Sequence, residues 1–166
     1  MHDYKLEGEF LSVNQSTDRG EIDTEEFLNK LSNVTGRSSS AIFEEMEAGA
    51  AVDYSVLSLV EQLRDNYKIG LLSNAPSEFL RGLLKEHDLE KYFDVIVISS
   101  EVGLIKPSPE IFRHILSMMN IRPDEAIFID DNIKNVEGAE TVGIKSFVYT
   151  NAVNLEKDLR THGAMV

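Results

Sequence analysis

The chain has 166 residues, enough for one ordinary domain or a core with a small appendage, and its 42% apolar and 27% charged residues are those of a soluble globular protein. No stretch approaches the roughly 18 apolar residues of a membrane span, and the start MHDYKLEGEF has no basic segment followed by an apolar one, so the expectation is a cytoplasmic protein with no membrane partner. A net charge of −13 without a basic patch argues against a nucleic-acid partner, and the absence of cysteine excludes disulfides, thiolate catalysis and Cys-ligated zinc.

In chain order, the first fifty residues read as helical. EIDTEEFLNKLSNV offers Asp23 and Glu26 as a capping box, with Ile22, Phe27, Leu28 and Leu31 as an apolar stripe. After the Ser-rich turn GRSSS, a second helix is expected from about Ser40 to Glu47. From about Val52 the pattern changes. Residues 54–65 space Val56, Leu59, Val60 and Leu63 at helical intervals behind a capping Asp53, and the strand KIGLLSN follows. A helix over 77–88 leads to the strand FDVIVISS (93–100). Ser108-Pro109-Glu110 then signals a helix running to about Asn120, with Ser as N-cap and Pro at the first helical position. AIFIDD (126–131) is a third strand, followed by a helix ending at Gly143 and a fourth strand, KSFVYT (145–150). Strands alternating with helices predict an α/β fold: a Rossmann-like parallel sheet with helices on both faces. Residues 1–52 are expected to form a small, partial helical cap, and residues 53–166 the α/β core.

Open parallel sheets present functional groups at the carboxyl ends of their strands. Those ends supply Ser73-Asn74, then Lys106 within EVGLIKPSPEIF, then Asp130-Asp131-Asn132. A hydroxyl, an ammonium and paired carboxylates meeting at one edge can hold a phosphate and a magnesium ion, the hard oxygens suiting the metal and the donors the phosphate. Each residue also has an ordinary reading. Ser73 can be a turn residue, Lys106 a solvated lysine, and Asp131 the cap of the next helix. His87 and His114 lack metal-ligand spacing and read as surface or packing residues.

Taken in order, LLSNA, GLIKPSPEIF and FIDDNIKNVEGAETVGI resemble the second, third and fourth motifs of the haloacid dehalogenase (HAD) superfamily, most of all its phosphatases with a helical cap. The likeness covers residues 53–150 closely. GEIDTEEFLNKL is similar to a cap segment of such chains and extends it to about residue 20. In a receiver domain the acidic pair would come first; here it comes last. The resemblance implies that Lys106 and Ser73 are catalytic and that Ser73, Asn74, Ala75 and Lys106 bind phosphate, with backbone N–H groups around Asn74 and Ala75 helping. It also implies that Asp130 and Asp131 hold Mg2+, and that the substrate is a small phosphorylated metabolite. The acidic pair favours this over dehalogenation, which generally uses no magnesium.

One part of the pattern is absent. In the family an Asp-x-Asp pair ends the first core strand, its first Asp being the nucleophile and its second the acid and base; no two aspartates of this sequence are separated by a single residue. The expectation is therefore a core lacking its first, central strand, in a truncated chain of low or no activity. Strands lie about 4.8 Å apart, so the omission predicts a slot flanked by unpaired backbone groups. Three outcomes are open. The flanking strands close up, a partner chain enters, or the stretch YKLEGEFLSV is recruited as a strand. Exposed edges also predict homo-oligomerisation. The alternative function is a non-catalytic interaction module of the same fold that binds a protein partner.

Overall fold

The structure, a computed structural model, describes residues 4–165. The expected alternation of strands and helices is present from residue 53 onward. Helix α1 (Tyr4–Asp18) contains the stretch considered as a recruited strand, so that alternative is overturned. The helix agrees with the helical reading of the first fifty residues, although it has no continuous apolar stripe: Gly8 lies in its interior, and Phe10 and Leu11 are both exposed. Helix α2 (Thr24–Thr35) begins where Asp23 Oδ1 accepts the Glu26 N–H at 2.8 Å. The return half of the expected capping box is not made; the Glu26 carboxylate pairs with Lys30 instead. Helix α3 (Ser39–Gly49) is capped by Ser38. Phe27 and Leu31 of α2 and Ile42 of α3 form one apolar cluster, against which Val13 of α1 packs.

Helix α4 (Tyr54–Leu63) starts on Asp53, whose carboxylate accepts the Ser55 and Val56 N–H groups. Strand β1 (Gly70–Ser73), helix α5 (Ser77–Glu86) and strand β2 (Val95–Ile98) follow. β2 is shorter than predicted, because Ser99 and Ser100 open a single helical turn, α6 (Ser99–Val102). Helix α7 (Pro109–Met119) carries Pro109 in its first turn and ends at Asn120 in the left-handed region. Strand β3 (Ile127–Asp130), helix α8 (Ile133–Glu140), strand β4 (Lys145–Val148) and helix α9 (Ala152–Thr161) complete the chain. None of these helices is long and apolar enough to cross a membrane.

The sheet is divided. β1 pairs in parallel with β2 (Ser73 opposite Ile98) and β3 in parallel with β4 (Asp130 opposite Val148), and no strand pairing joins β1 to β3. Among the described residues the two halves have therefore not closed up into one ladder. They share an apolar layer instead. Ile111, Phe112, Ile115 and Leu116 of α7 pack with Leu72 of β1, Val97 of β2 and Ala139 of α8, and the Phe112 ring meets Phe128 of β3 edge-on at 5.2 Å. Alternate residues of β3, Ile127 and Ile129, face the other way, onto Leu59 of α4 and Leu155 and Leu159 of α9. Helices thus cover both faces. Ile111 and Phe112 are completely buried, each worth about 2 kcal/mol of apolar transfer.

Candidate functional site

The divided sheet is bridged by one side chain. Lys106 lies in the segment between α6 and α7, and its Nζ donates to the Leu72 carbonyl of β1 at 2.9 Å and to Asp130 Oδ2 of β3 at 2.6 Å. The Lys106 and Asp130 side chains are only 9% and 7% exposed, so the pair is shielded from solvent. Nζ also stands 5.6 Å from the centre of the Phe128 ring.

Asn74 fixes the lysine backbone. Its Oδ1 accepts the Lys106 N–H at 2.9 Å and its Nδ2 donates to the Lys106 carbonyl at 3.0 Å. Gly138 of α8 allows the same segment to sit close, since a Cβ at that position would stand 2.5 Å from the Pro107 carbonyl oxygen. The ammonium is thus aimed by two neighbouring elements.

Asp130 is equally constrained. Its Oδ1 accepts the Asn132 N–H and the Asn135 Nδ2, both at 2.9 Å. Burial pushes its pKa up, but hydrogen bonds from Lys106, Asn132 and Asn135 together with the lysine charge outweigh this and hold the carboxyl below its ordinary value. Asp131 is exposed. It does not cap α8; Asn132 does, accepting the Lys134 N–H at 3.0 Å.

The loop after β1 is held from both sides. Ala75 donates its N–H to Ser99 Oγ at 3.1 Å and accepts Ser100 Oγ–H at its carbonyl at 2.8 Å. In this structure the Ala75 N–H, one of the groups expected to help bind phosphate, donates to a neighbouring side chain. The start of α5 also has an anion beside it: Ser77 Oγ donates to Glu101 Oε1 at 2.6 Å, and Arg81 pairs with the same carboxylate. The Ser73 hydroxyl makes no hydrogen bond to another described residue. Ser108 occupies the N-cap position of α7, but its hydroxyl bonds the Glu110 carboxylate rather than a backbone N–H.

Ser73, Asn74, Lys106 and Asp130 are therefore brought to one rim, with Asp131 at its exposed side. Sequence reasoning missed four contributors. Ser99 and Ser100 read as the end of a strand, although a serine pair closing a Val/Ile run marks a change of backbone. Asn135 sits in the first turn of α8, five residues beyond Asp130. Asp18, at the end of α1, had no signal: burial, opposed by the Lys106 charge, raises its pKa to about 6. Gly20 keeps that helix end against the core, since its φ of +69° suits glycine and a Cβ there would run into the Ser100 carbonyl.

Among the described residues no three His, Asp or Glu side chains gather around one point. Of about four acceptor positions on the Asp130 carboxylate, three are occupied. The remaining one and the exposed Asp131 suit a cation held by one or two carboxylates and completed by water and phosphate, not an all-protein cage.

Known proteins resemble this chain in sequence and in fold. Residues 7–143 match the haloacid dehalogenase-like hydrolase family. A phosphorylated carbohydrates phosphatase of Thermotoga maritima is 33% identical over 99 residues, 59% of this chain and 46% of that protein. The pyrophosphatase PpaX of Bacillus thuringiensis is 29% identical over 93 residues, 55% of this chain and 43% of that protein. The chain thus spans less than half the length of these relatives. A HAD family enzyme of Bacteroides thetaiotaomicron superimposes with a TM-score of 0.77 at 26% identity, covering 90% of this chain and 78% of that one. The same enzyme in complex with magnesium and inorganic phosphate gives 0.71 at 27% identity, covering 81% and 73%. With its motifs gathered at one rim and the family match covering residues 7–143, this chain belongs to the haloacid dehalogenase-like hydrolases.

Proposed function

We propose that the chain provides the phosphate- and magnesium-binding rim of a phosphatase-type HAD hydrolase acting on a small phosphorylated metabolite. The observation that carries this reading is the buried Lys106 ammonium, fixed between the ends of two strands. An ammonium has three N–H donors. Two are held by Leu72 and Asp130, leaving the third for an anion, and Ser73, next to Leu72, adds an uncommitted hydroxyl. The lysine is aimed before any ligand arrives, so no reorganisation is needed when charge develops on phosphate oxygens.

Asp130 and Asp131 would hold Mg2+, which when bound spreads phosphate charge. The relatives act on phosphorylated compounds, and a structural neighbour carries magnesium and phosphate together. Residues 1–52 would serve as a partial helical cap over the core of residues 53–166. These 166 residues contain no Asp-x-Asp pair, so the route through an aspartyl nucleophile is not open to them and the chain alone has little or no turnover.

Calorimetric titration with inorganic phosphate, with and without Mg2+, tests the reading. Binding that Mg2+ strengthens and Ser73→Ala weakens is expected. Phosphate binding indifferent to both, or release of phosphate from an aryl phosphate by the isolated chain, would contradict it.

A further inference from the structure

Beside the rim lies a cavity of about 490 Å³, within the range that holds a small organic ligand. It runs among α1, α2 and α3 and reaches Pro76, two residues beyond the Asn74 that clamps Lys106. Asp18 forms part of its wall and feels the Lys106 charge, so the cavity and the rim adjoin.

The chemistry of the wall selects the ligand. Apolar side chains, Phe10, Phe27, Leu31, Ile42, Met46 and Pro76, supply most of the exposed surface. Its polar groups are largely committed elsewhere. The Thr17 and Thr35 hydroxyls donate to the Val13 and Leu31 carbonyls, and Arg37 pairs with Glu45. Only Asn14 and Asp18 have side chains without a hydrogen bond to another described residue. A polyol placed here would lose water from several hydroxyls and regain few partners, whereas an aromatic or aliphatic body would lose nothing polar.

Resting on the phosphatase reading above, we infer that the cavity receives the apolar body of a phosphate monoester whose phosphate sits at Ser73 and Lys106. The preferred ligands are therefore phosphates of apolar alcohols, not of sugars.

The test compares inorganic phosphate, 1-naphthyl phosphate and glucose 6-phosphate by calorimetry, with methyl NMR locating each ligand. Naphthyl phosphate should bind about tenfold or more tightly than inorganic phosphate, as the area of one ring at ordinary transfer values requires. Glucose 6-phosphate should gain nothing. Methyl signals of Leu31, Ile42 and Met46 should shift with naphthyl phosphate alone, and Met46→Trp or Thr35→Trp should bring the naphthyl-to-phosphate affinity ratio towards one. Should either variant misfold, the wild-type methyl shifts decide. Lys106-dependent phosphate binding with no naphthyl gain, or a gain for the sugar phosphate, would overturn the cavity assignment and leave the phosphatase reading standing. Naphthyl phosphate shifting these methyls without any binding of inorganic phosphate would instead sink the phosphatase reading and, with it, the placement of the ester's phosphate.

Discussion

The two half sheets hold their carboxyl ends in different ways. The end of β3 is organised locally: Asp130 is bonded by Asn132 and Asn135, two and five residues further along the chain. The end of β1 is organised from a distance. Ala75 is gripped by Ser99 and Ser100, and Asn74 by the backbone of Lys106, 24 to 32 residues away. Among the described residues, Lys106 alone bonds both ends. A site built this way depends on one long side chain for its cross-sheet geometry, because the backbone ladder that would usually join neighbouring strands is absent between β1 and β3.

Removing the bridge should therefore have the largest effect. Lys106→Met leaves the Asp130 carboxylate shielded and without its cation, and the Leu72 carbonyl without its donor. A loss of about 3–5 kcal/mol in chemical denaturation is expected. A loss below about 1 kcal/mol would show that the halves are held by the shared apolar layer alone.

Gly138→Val disturbs the approach rather than the bridge. The added side chain meets the Pro107 carbonyl, and a loss of about 1–3 kcal/mol is expected, with amide shifts centred on Lys106. Equal shifts throughout α8 without any at Lys106 would place the role of this glycine elsewhere.

Ser99→Ala tests the distant grip on β1. The Ala75 N–H loses its acceptor, for about 1 kcal/mol, and its hydrogen exchange should accelerate while that of β3 is unchanged.

The smallest effect depends on pH. Asp18 has a folded pKa near 6, above its ordinary value of 3.8, so the folded state holds its proton more tightly than the unfolded chain. The stability this contributes is complete below about pH 4 and lost as pH rises through 6. Asp130 has the opposite sign: its depressed pKa contributes stability above its ordinary value, lost as pH falls through the folded value. Of these two carboxyls, Asp18 is the one that acts through the window from pH 4 to 6. Asp18→Asn should flatten the stability profile there and gain about 1 kcal/mol at pH 7, after allowance for solvent screening. An unchanged profile would remove Asp18 from the rim.

Much of this arrangement was legible in the sequence. The four strands and the helices of the core follow from period and caps: Asp53 caps α4, and Pro109 and Asn120 bracket α7. The motif residues Ser73, Lys106 and Asp130 mark strand ends and the segment between two helices, which the fold brings to one edge. What was hidden has physical reasons. α1 agrees with the helical reading of the first fifty residues, but without a continuous apolar stripe its bounds could not be set from period. Ser99 and Ser100 act through loop contacts, which leave no periodic trace. The cap of α8 went to Asn132 rather than Asp131 because the helix begins only at Ile133, which leaves Asp131 in the link between strand and cap. The expected slot between the flanking strands agrees with the absence of pairing between β1 and β3; the side chain of Lys106 as the link between them could not be read from spacing.

The most direct test follows backbone amide signals while inorganic phosphate is added in the presence of Mg2+. The account predicts that Ser73, Lys106 and Asp131, each from a different segment, shift together along one binding curve. Shifts confined to one segment, or following separate curves, would contradict a single shared rim.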